Sequence, residues 1–215
     1  MRYYIIAGEA SGDLHGSNLI KELRRQDTAA NIRCWGGDKM KAAGGNVVKH
    51  INDLAFMGFL EVVKHLPTIL SNIAFCKRDI LAYQPDVVIL IDYPGFNFRL
   101  FEFLKSNNLK IFYYISPQLW AWKKGRVKKV QKYVDHMFVI FPFEKDFYAQ
   151  YGVAVDFVGH PLLDELPDEA LKRDTAKDKI IAIVPGSRRQ EISYLLPEYL
   201  KVVDQFPDYR FVVTG

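Results

Sequence analysis

Short continuous apolar runs recur along the chain, at 3–7, 32–35, 87–91, 111–115, 137–141 and 157–158, and between them apolar residues return at helical spacing. Strands that are apolar on both faces must be covered on both, so the alternation predicts an α/β fold with a doubly wound parallel sheet. Leu19, Ile20 and Leu23 share one side of a predicted helix that begins near Asp13. Pro67 suits the first turn of a helix running to Tyr83, and the Pro85-Asp86 step ends it before the next strand.

After Gly159-His160-Pro161 the pattern changes. Residues 164–179 are charged and poor in large apolar side chains, which reads as a linker between a first domain, 1–163, and a second, 180–215. The second comprises a strand at 180–184, a turn at Pro185-Gly186-Ser187, a helix from 190 to about 206 and a strand at 210–213. One βαβ unit cannot cover its own sheet, so this domain is expected to be incomplete and its strands exposed.

Composition changes this picture little. Cys34 and Cys76 are far apart and unpaired by any metal-binding spacing, which argues against a disulfide framework or a zinc site and for a reducing cytoplasm. The apolar stretch at the N-terminus is too short for a signal-peptide core, and no run reaches the roughly 18 apolar residues of a membrane span. The net charge of +4 is modest, but Lys123, Lys124, Arg126, Lys128, Lys129 and Lys132 are crowded together. A single short basic helix is no nucleic-acid module, so no nucleic-acid partner is expected.

Four motifs sit where strands hand over to helices or loops. In Gly8-Glu9-Ala10-Ser11-Gly12-Asp13, glycines allow close backbone approach, while Glu9 and Asp13 suit a hydroxyl or a proton better than a phosphate. A helix cap by Ser11 or Asp13 is the equally weighted structural alternative. In Ile91-Asp92-Tyr93-Pro94-Gly95-Phe96-Asn97, an aspartate at the tip of an apolar strand is desolvated and more basic, which fits a general base; a carboxylate bonding loop amides is the alternative. In Ser116-Pro117-Gln118-Leu119-Trp120-Ala121-Trp122, two tryptophans offer flat faces for a sugar ring or acyl chain. The basic run that follows reads mainly as the solvated face of a helix whose Val127, Val130 and Tyr133 point inward. In Pro185-Gly186-Ser187-Arg188, a small-residue turn before a helix presents amides and Arg188 to an anion. His15 and His160 lie beside these motifs and are candidates for a hydrogen bond to substrate, and His50 and His136 read as structural.

The stretch from Phe56 to Phe75 carries more apolar residues than one buried stripe needs. Core packing accounts for half of them, and the surplus, Leu60, Val63, Leu66 and Leu70, suits a surface that dips into a bilayer.

In this order, G-E-A-S-G-D, I-D-Y-P-G-F-N, S-P-Q-L-W-A-W, F-P-F-E-K, V-G-H-P-L and P-G-S-R resemble the lipid-A-disaccharide synthase family over essentially all 215 residues. The resemblance implies a GT-B architecture of two Rossmann-like domains. It also implies an inverting transfer from UDP-2,3-diacylglucosamine to 2,3-diacylglucosamine 1-phosphate (lipid X), releasing UDP and the β-1,6-linked disaccharide 1-phosphate. Asp92 is then the base for the acceptor 6-hydroxyl, assisted by Glu9. Ser11, Asp13, Asn97, Ser116, Gln118, Trp120 and Trp122 fall on the acceptor side, and Gly186, Ser187 and Arg188 meet the UDP diphosphate across a cleft. No metal or other cofactor is called for, the place of work is the cytoplasmic face of the inner membrane, and a homodimer is left open. Many relatives carry a second aspartate where this chain has Gly95, so a carboxylate pair is not carried over. Another GT-B enzyme, such as a UDP-N-acetylglucosamine epimerase or a peptidoglycan glycosyltransferase, and a non-catalytic acceptor- or membrane-binding piece are the competing readings.

Overall fold

A computed structural model of the chain describes residues 1–54, 66–166, 179–186 and 189–214. The chain divides into two compact units, Met1–Glu165 and Leu166–Gly215. Most of the stretch expected to be a linker, 167–178, lies outside the described residues.

The first unit is built on seven parallel strands: β1 (Arg2–Ile6), β2 (Asn31–Gly36), β3 (Asn46–His50), β4 (Val87–Ile91), β5 (Lys110–Tyr114), β6 (His136–Val139) and β7 (Asp156–Phe157). Their spatial order is β3-β2-β1-β4-β5-β6-β7. Helices α1 (Ala10–Gln26) and α2 (Asp38–Ala42) lead from β1 to β2 and from β2 to β3, and α3 (Leu66–Tyr83) precedes β4. Then come α4 (Pro94–Asn97), α5 (Phe101–Ser106), α6 (Leu119–Trp122), α7 (Val127–Tyr133) and α8 (Phe143–Ala149). Every residue of β4 is buried, as its uninterrupted apolar run requires. Alternate residues feed two cores: Tyr4, Ile6, Val88 and Leu90 pack with α3, α5 and α7, while Tyr3, Ile5, Val87 and Ile89 face α1 and α2.

β3 is the strand that hydrophobicity does not announce. Val47 and Val48 are its only large apolar residues, flanked by Asn46, Lys49 and His50, because an edge strand is only half-buried. On the face that α1 covers, an apolar cavity of 480 Å³ extends over β4, β5 and β6 and is lined by Leu19, Val87, Ile89, Phe112, Phe138 and Leu163, among others.

One polar cluster fastens α3 to the sheet. Trp35 Nε1 donates to the Tyr4 hydroxyl at 2.9 Å, which donates to Asp79 at 2.7 Å. Arg33 grips the same carboxylate through two bonds of 2.8 and 2.6 Å. Burial pushes the Asp79 carboxyl up, but Arg33 and Tyr4 outweigh it and hold its pKa below the ordinary value.

The second unit pairs β8 (Ile180–Ile183) with β9 (Arg210–Val213) in parallel, and α9 (Arg189–Leu200) lies between them in sequence. Ile180, Val212 and Val213 are exposed. The helix expected to reach 206 ends at Leu200. Pro197 removes one of its hydrogen bonds, and the chain beyond tightens into i to i−3 contacts such as Lys201 N to Glu198 O, ahead of a 3₁₀ turn at Val203–Gln205.

Candidate active site

Because all seven strands run the same way, the motif loops that follow β1, β4 and β5 emerge along one edge of the sheet. β1 and β4 are neighbours, yet the chain leaves β1 toward β2 on one side and β4 toward β5 on the other. Such a divergence is the place where open α/β sheets bind ligands, in the crevice between the two loops. Gly8-Glu9 and Asp92-Tyr93 are the residues that follow β1 and β4 at that place, near enough for the Glu9 charge to act on Asp92.

Asp92 follows the last residue of β4 directly and turns the chain sharply. Its φ is +40° and that of Tyr93 is +45°, two consecutive left-handed residues without a glycine. Such conformations cost on the order of 1–3 kcal/mol each and persist only where surroundings enforce them. Here the Asp92 carbonyl accepts two hydrogen bonds, from Asn97 Nδ2 at 2.7 Å and from the Tyr113 hydroxyl at 2.5 Å. Its amide donates to Tyr114 O at 3.1 Å, which keeps the residue tied to β5.

Burial, and after it the nearby Glu9 carboxylate, push the Asp92 carboxyl up to about 6, with a hydrogen bond to the Tyr93 amide opposing them. A carboxylate that ionises near 6 is unprotonated at neutral pH yet far more basic than an ordinary aspartate, the balance that general-base work requires. Burial and Glu9 raise the Tyr93 phenol as well.

Gly8 is required by close approach. A Cβ built there would lie 2.4 Å from the base of the Tyr93 ring, which stacks on Phe96 at 5.5 Å. Gly8→Ala is therefore expected to displace Tyr93, with an overpacking cost of about 1–3 kcal/mol and at least a tenfold loss of turnover. Gly95→Ala is its control, since nothing lies within 4 Å of a Cβ there. Thermal melts and steady-state rates on the pair check this, and equal behaviour would refute it.

The remaining motif residues divide into exposed and buried. Ser11 is exposed in the first turn of α1, Gln118 is exposed ahead of α6, and Trp122 is 73% exposed. Trp120 is half-buried against Phe143, edge to face at 5.1 Å, and its Nε1 has no hydrogen-bond partner among the described residues.

Asp13, Asn97 and Ser116 lie beneath the surface instead. Asp13 accepts from the amides of Gly37 at 2.6 Å, Met40 at 3.0 Å and Lys39 at 3.1 Å, so its carboxylate holds the N-terminus of α2. Neither Ser11 nor Asp13 caps α1: Glu9 occupies the N-cap position, and no side-chain cap bond is made. Asn97 is fully buried under the Asp92 turn, and the Ser116 hydroxyl meets Pro117 O at 3.0 Å and the Tyr148 hydroxyl at 2.7 Å. Beside Ser116, the buried Glu144 accepts from the Ile140 and Phe141 amides at 3.1 and 3.0 Å.

Lys128, Lys129 and Lys132 are exposed while Val127 and Val130 are buried, the split a solvated helix face gives. His15 is buried, and its pKa is lowered by burial first and by His160 next. In the second unit Gly186 has φ +106°, a turn that only glycine adopts without strain. Ser187 and Arg188 lie outside the described residues, as do Leu60 and Val63; Leu70, on α3, is 54% exposed. Among the described residues no group of His, Cys, Asp and Glu could hold a metal ion, and no helix is long and apolar enough to cross a membrane.

Sequence reasoning passed over Tyr93 and Tyr113. Tyr113 sits in a strand run that reads as apolar packing and Tyr93 stands in the Asp92 motif with no role of its own, and only the hydroxyl of Tyr113 and the backbone angle of Tyr93 reveal their place around Asp92.

The family profile described as lipid-A-disaccharide synthetase matches residues 3–213. The chain is 46% identical over 208 residues to the lipid-A-disaccharide synthase of Trichlorobacter lovleyi, covering 93% of this chain and 54% of that protein. It is 43% identical over 223 residues to the synthase of Geobacter metallireducens, covering 99% of this chain and 58% of that one. The chain thus spans little more than half the length of these curated relatives. Among solved structures, UDP-GlcNAc 2-epimerase from Neisseria meningitidis bound to UDP-GlcNAc superposes with a TM-score of 0.66 at 13% identity, covering 99% of this chain and 65% of that one. The glycotransferase of kitacinnamycin does so with 0.63 at 14% identity, covering 99% and 65%. Likeness at that identity shows the fold, an α/β fold of GT-B type.

Proposed function

Because the chain belongs to the lipid-A-disaccharide synthetase family, we propose that it supplies the acceptor side and the general base of an inverting glycosyltransferase in lipid A biosynthesis. The donor is UDP-2,3-diacylglucosamine and the acceptor 2,3-diacylglucosamine 1-phosphate. Asp92 takes the proton of the acceptor 6-hydroxyl as that oxygen attacks the anomeric carbon; the bond to UDP breaks on the opposite face, and the configuration inverts. Burial first and Glu9 second keep Asp92 basic, and Ser11, Gln118, Trp120 and Trp122 supply the accessible acceptor wall. Asp13, Asn97 and Ser116 support that wall from behind. The turn at Gly186 with Ser187 and Arg188 serves the diphosphate, where an arginine bond adds roughly 1.5–3 kcal/mol and a helix end about 0.3–1.

The observation that carries the reading is the Asp92 carboxyl, raised to about 6, in the crevice between β1 and β4. The assay is UDP release from the acylated donor by the protein at the length of its relatives. Release that depends on the acylated acceptor is expected; release without acceptor, or epimerisation of the donor sugar, would reject the transferase reading. The epimerases share the fold, whereas family membership and the relatives' names favour transfer.

Peripheral attachment to the inner membrane belongs to the same proposal. Leu70 and Phe75 on α3 are exposed, and Trp122 adjoins the basic run. Both substrates carry acyl chains, so an enzyme held at the bilayer meets them there. Leu70→Glu is expected to reduce sedimentation with anionic vesicles at least twofold while turnover on detergent-dispersed substrate holds, and unchanged partitioning would remove the idea. Self-association as a homodimer is read by sedimentation velocity.

A further inference from the structure

Two successive non-glycine residues do not stay left-handed unaided, because the ordinary α and β regions lie lower for both. At Asp92 and Tyr93 the restraint is visible as two donors converging on one oxygen. Asn97 Nδ2 reaches the Asp92 carbonyl from within α4, and the Tyr113 hydroxyl reaches it from the neighbouring strand β5. Both side chains are fully buried, so neither can touch a substrate in the crevice. The two bonds occupy both lone pairs of the carbonyl. They also come from two different elements, which fixes the peptide plane between Asp92 and Tyr93 against rotation as well as displacement. Rotation of that plane would change ψ of Asp92 and the left-handed φ of Tyr93, and rotation about the N–Cα bond of Asp92, which would swing the side chain, would pull the carbonyl off both donors while the amide stays tied to Tyr114 O.

We propose that Tyr113 and Asn97 are positioning residues for Asp92, acting through its main-chain carbonyl to hold the left-handed turn that aims the carboxylate into the crevice. The proposal rests on reading Asp92 as the base and assigns roles to two residues that make no contact with substrate. Tyr113 suits the task because its ring is clamped edge-on by Phe101 at 5.9 Å and by Phe98 at 6.2 Å, so its hydroxyl has one place to go. Tyr113→Phe removes that hydroxyl and leaves the clamp.

The test compares Tyr113→Phe, Asn97→Ala and the double variant with Asp92→Asn, at the length of the relatives, and follows the Asp92 carboxyl carbon by NMR titration in the 215-residue chain. Each single variant is expected to lower kcat roughly three- to tenfold, the worth of one hydrogen bond, with KM for both sugars within about twofold. The acid limb of the pH profile and the Asp92 titration should move together, and the double variant should lose more than either single one. Tyr113→Phe that lowers the melting temperature yet leaves kcat and the Asp92 titration unchanged would overturn the proposal and leave the hydroxyl a purely structural role. Retained turnover in Asp92→Asn would instead remove the base reading. The titration then decides alone: a shift in Tyr113→Phe keeps the hydroxyl as the holder of the turn, and none removes it.

Discussion

Asp92→Asn is expected to cut turnover by about 10²- to 10⁴-fold while making the fold more stable, and both effects have one origin. The carboxyl is held at about 6 against an ordinary 3.8. A carboxyl whose folded pKa is raised contributes fully below the unfolded value and loses that contribution as pH rises through the folded one. Above about 6 the ionised form therefore weighs on the fold, by roughly two pKa units at about 1.4 kcal/mol each, or about 3 kcal/mol. Asparagine carries no charge, fits the same space and tolerates a left-handed backbone. The variant should melt roughly 6–12 °C higher at pH 8, with the gain vanishing near pH 4. A gain that is the same at both pH values would show that relief of buried charge is not its cause.

Asp13→Ala should have a large effect of the opposite kind. Its carboxylate is all but fully buried and answers three amides at the start of α2, two of them, Gly37 and Met40, through fully buried bonds. Alanine leaves those donors without an acceptor, at about 1–3 kcal/mol for each that water cannot reach. A loss of about 3–5 kcal/mol is expected, against a total stability of about 5–15 for a typical domain. Asp13→Asn keeps one acceptor oxygen and should lose about half as much. Denaturant titration measures both. If stability instead held and only the KM for the acceptor rose, Asp13 would belong to the acceptor site after all.

That contrast shows which parts of the molecule its sequence declares. β4 is legible because five apolar residues in a row have only one use in an α/β chain, burial from both sides, and the structure buries all five. Asp92 is legible with it, because a carboxylate after such a run must end at the strand tip. The use of Asp13 is not legible: its partners begin 24 positions away at Gly37 and are main-chain atoms with no side-chain signature. Asn97 and Ser116 read as acceptor contacts because they stand in the right motifs, yet the loops turn them inward. The Tyr113 hydroxyl is hidden for the complementary reason, since in a strand a tyrosine is read by its ring. β3 escaped because an edge strand needs few apolar residues.

The most direct measurement is the pH dependence of kcat/KM for acceptor-dependent UDP release. Activity is expected to fall toward acid with a midpoint near 6, and this limb to disappear in Asp92→Asn together with most of the rate. A midpoint near the ordinary 3.8 of an aspartate, or an Asp92→Asn enzyme that keeps both the limb and its turnover, would contradict Asp92 as the base.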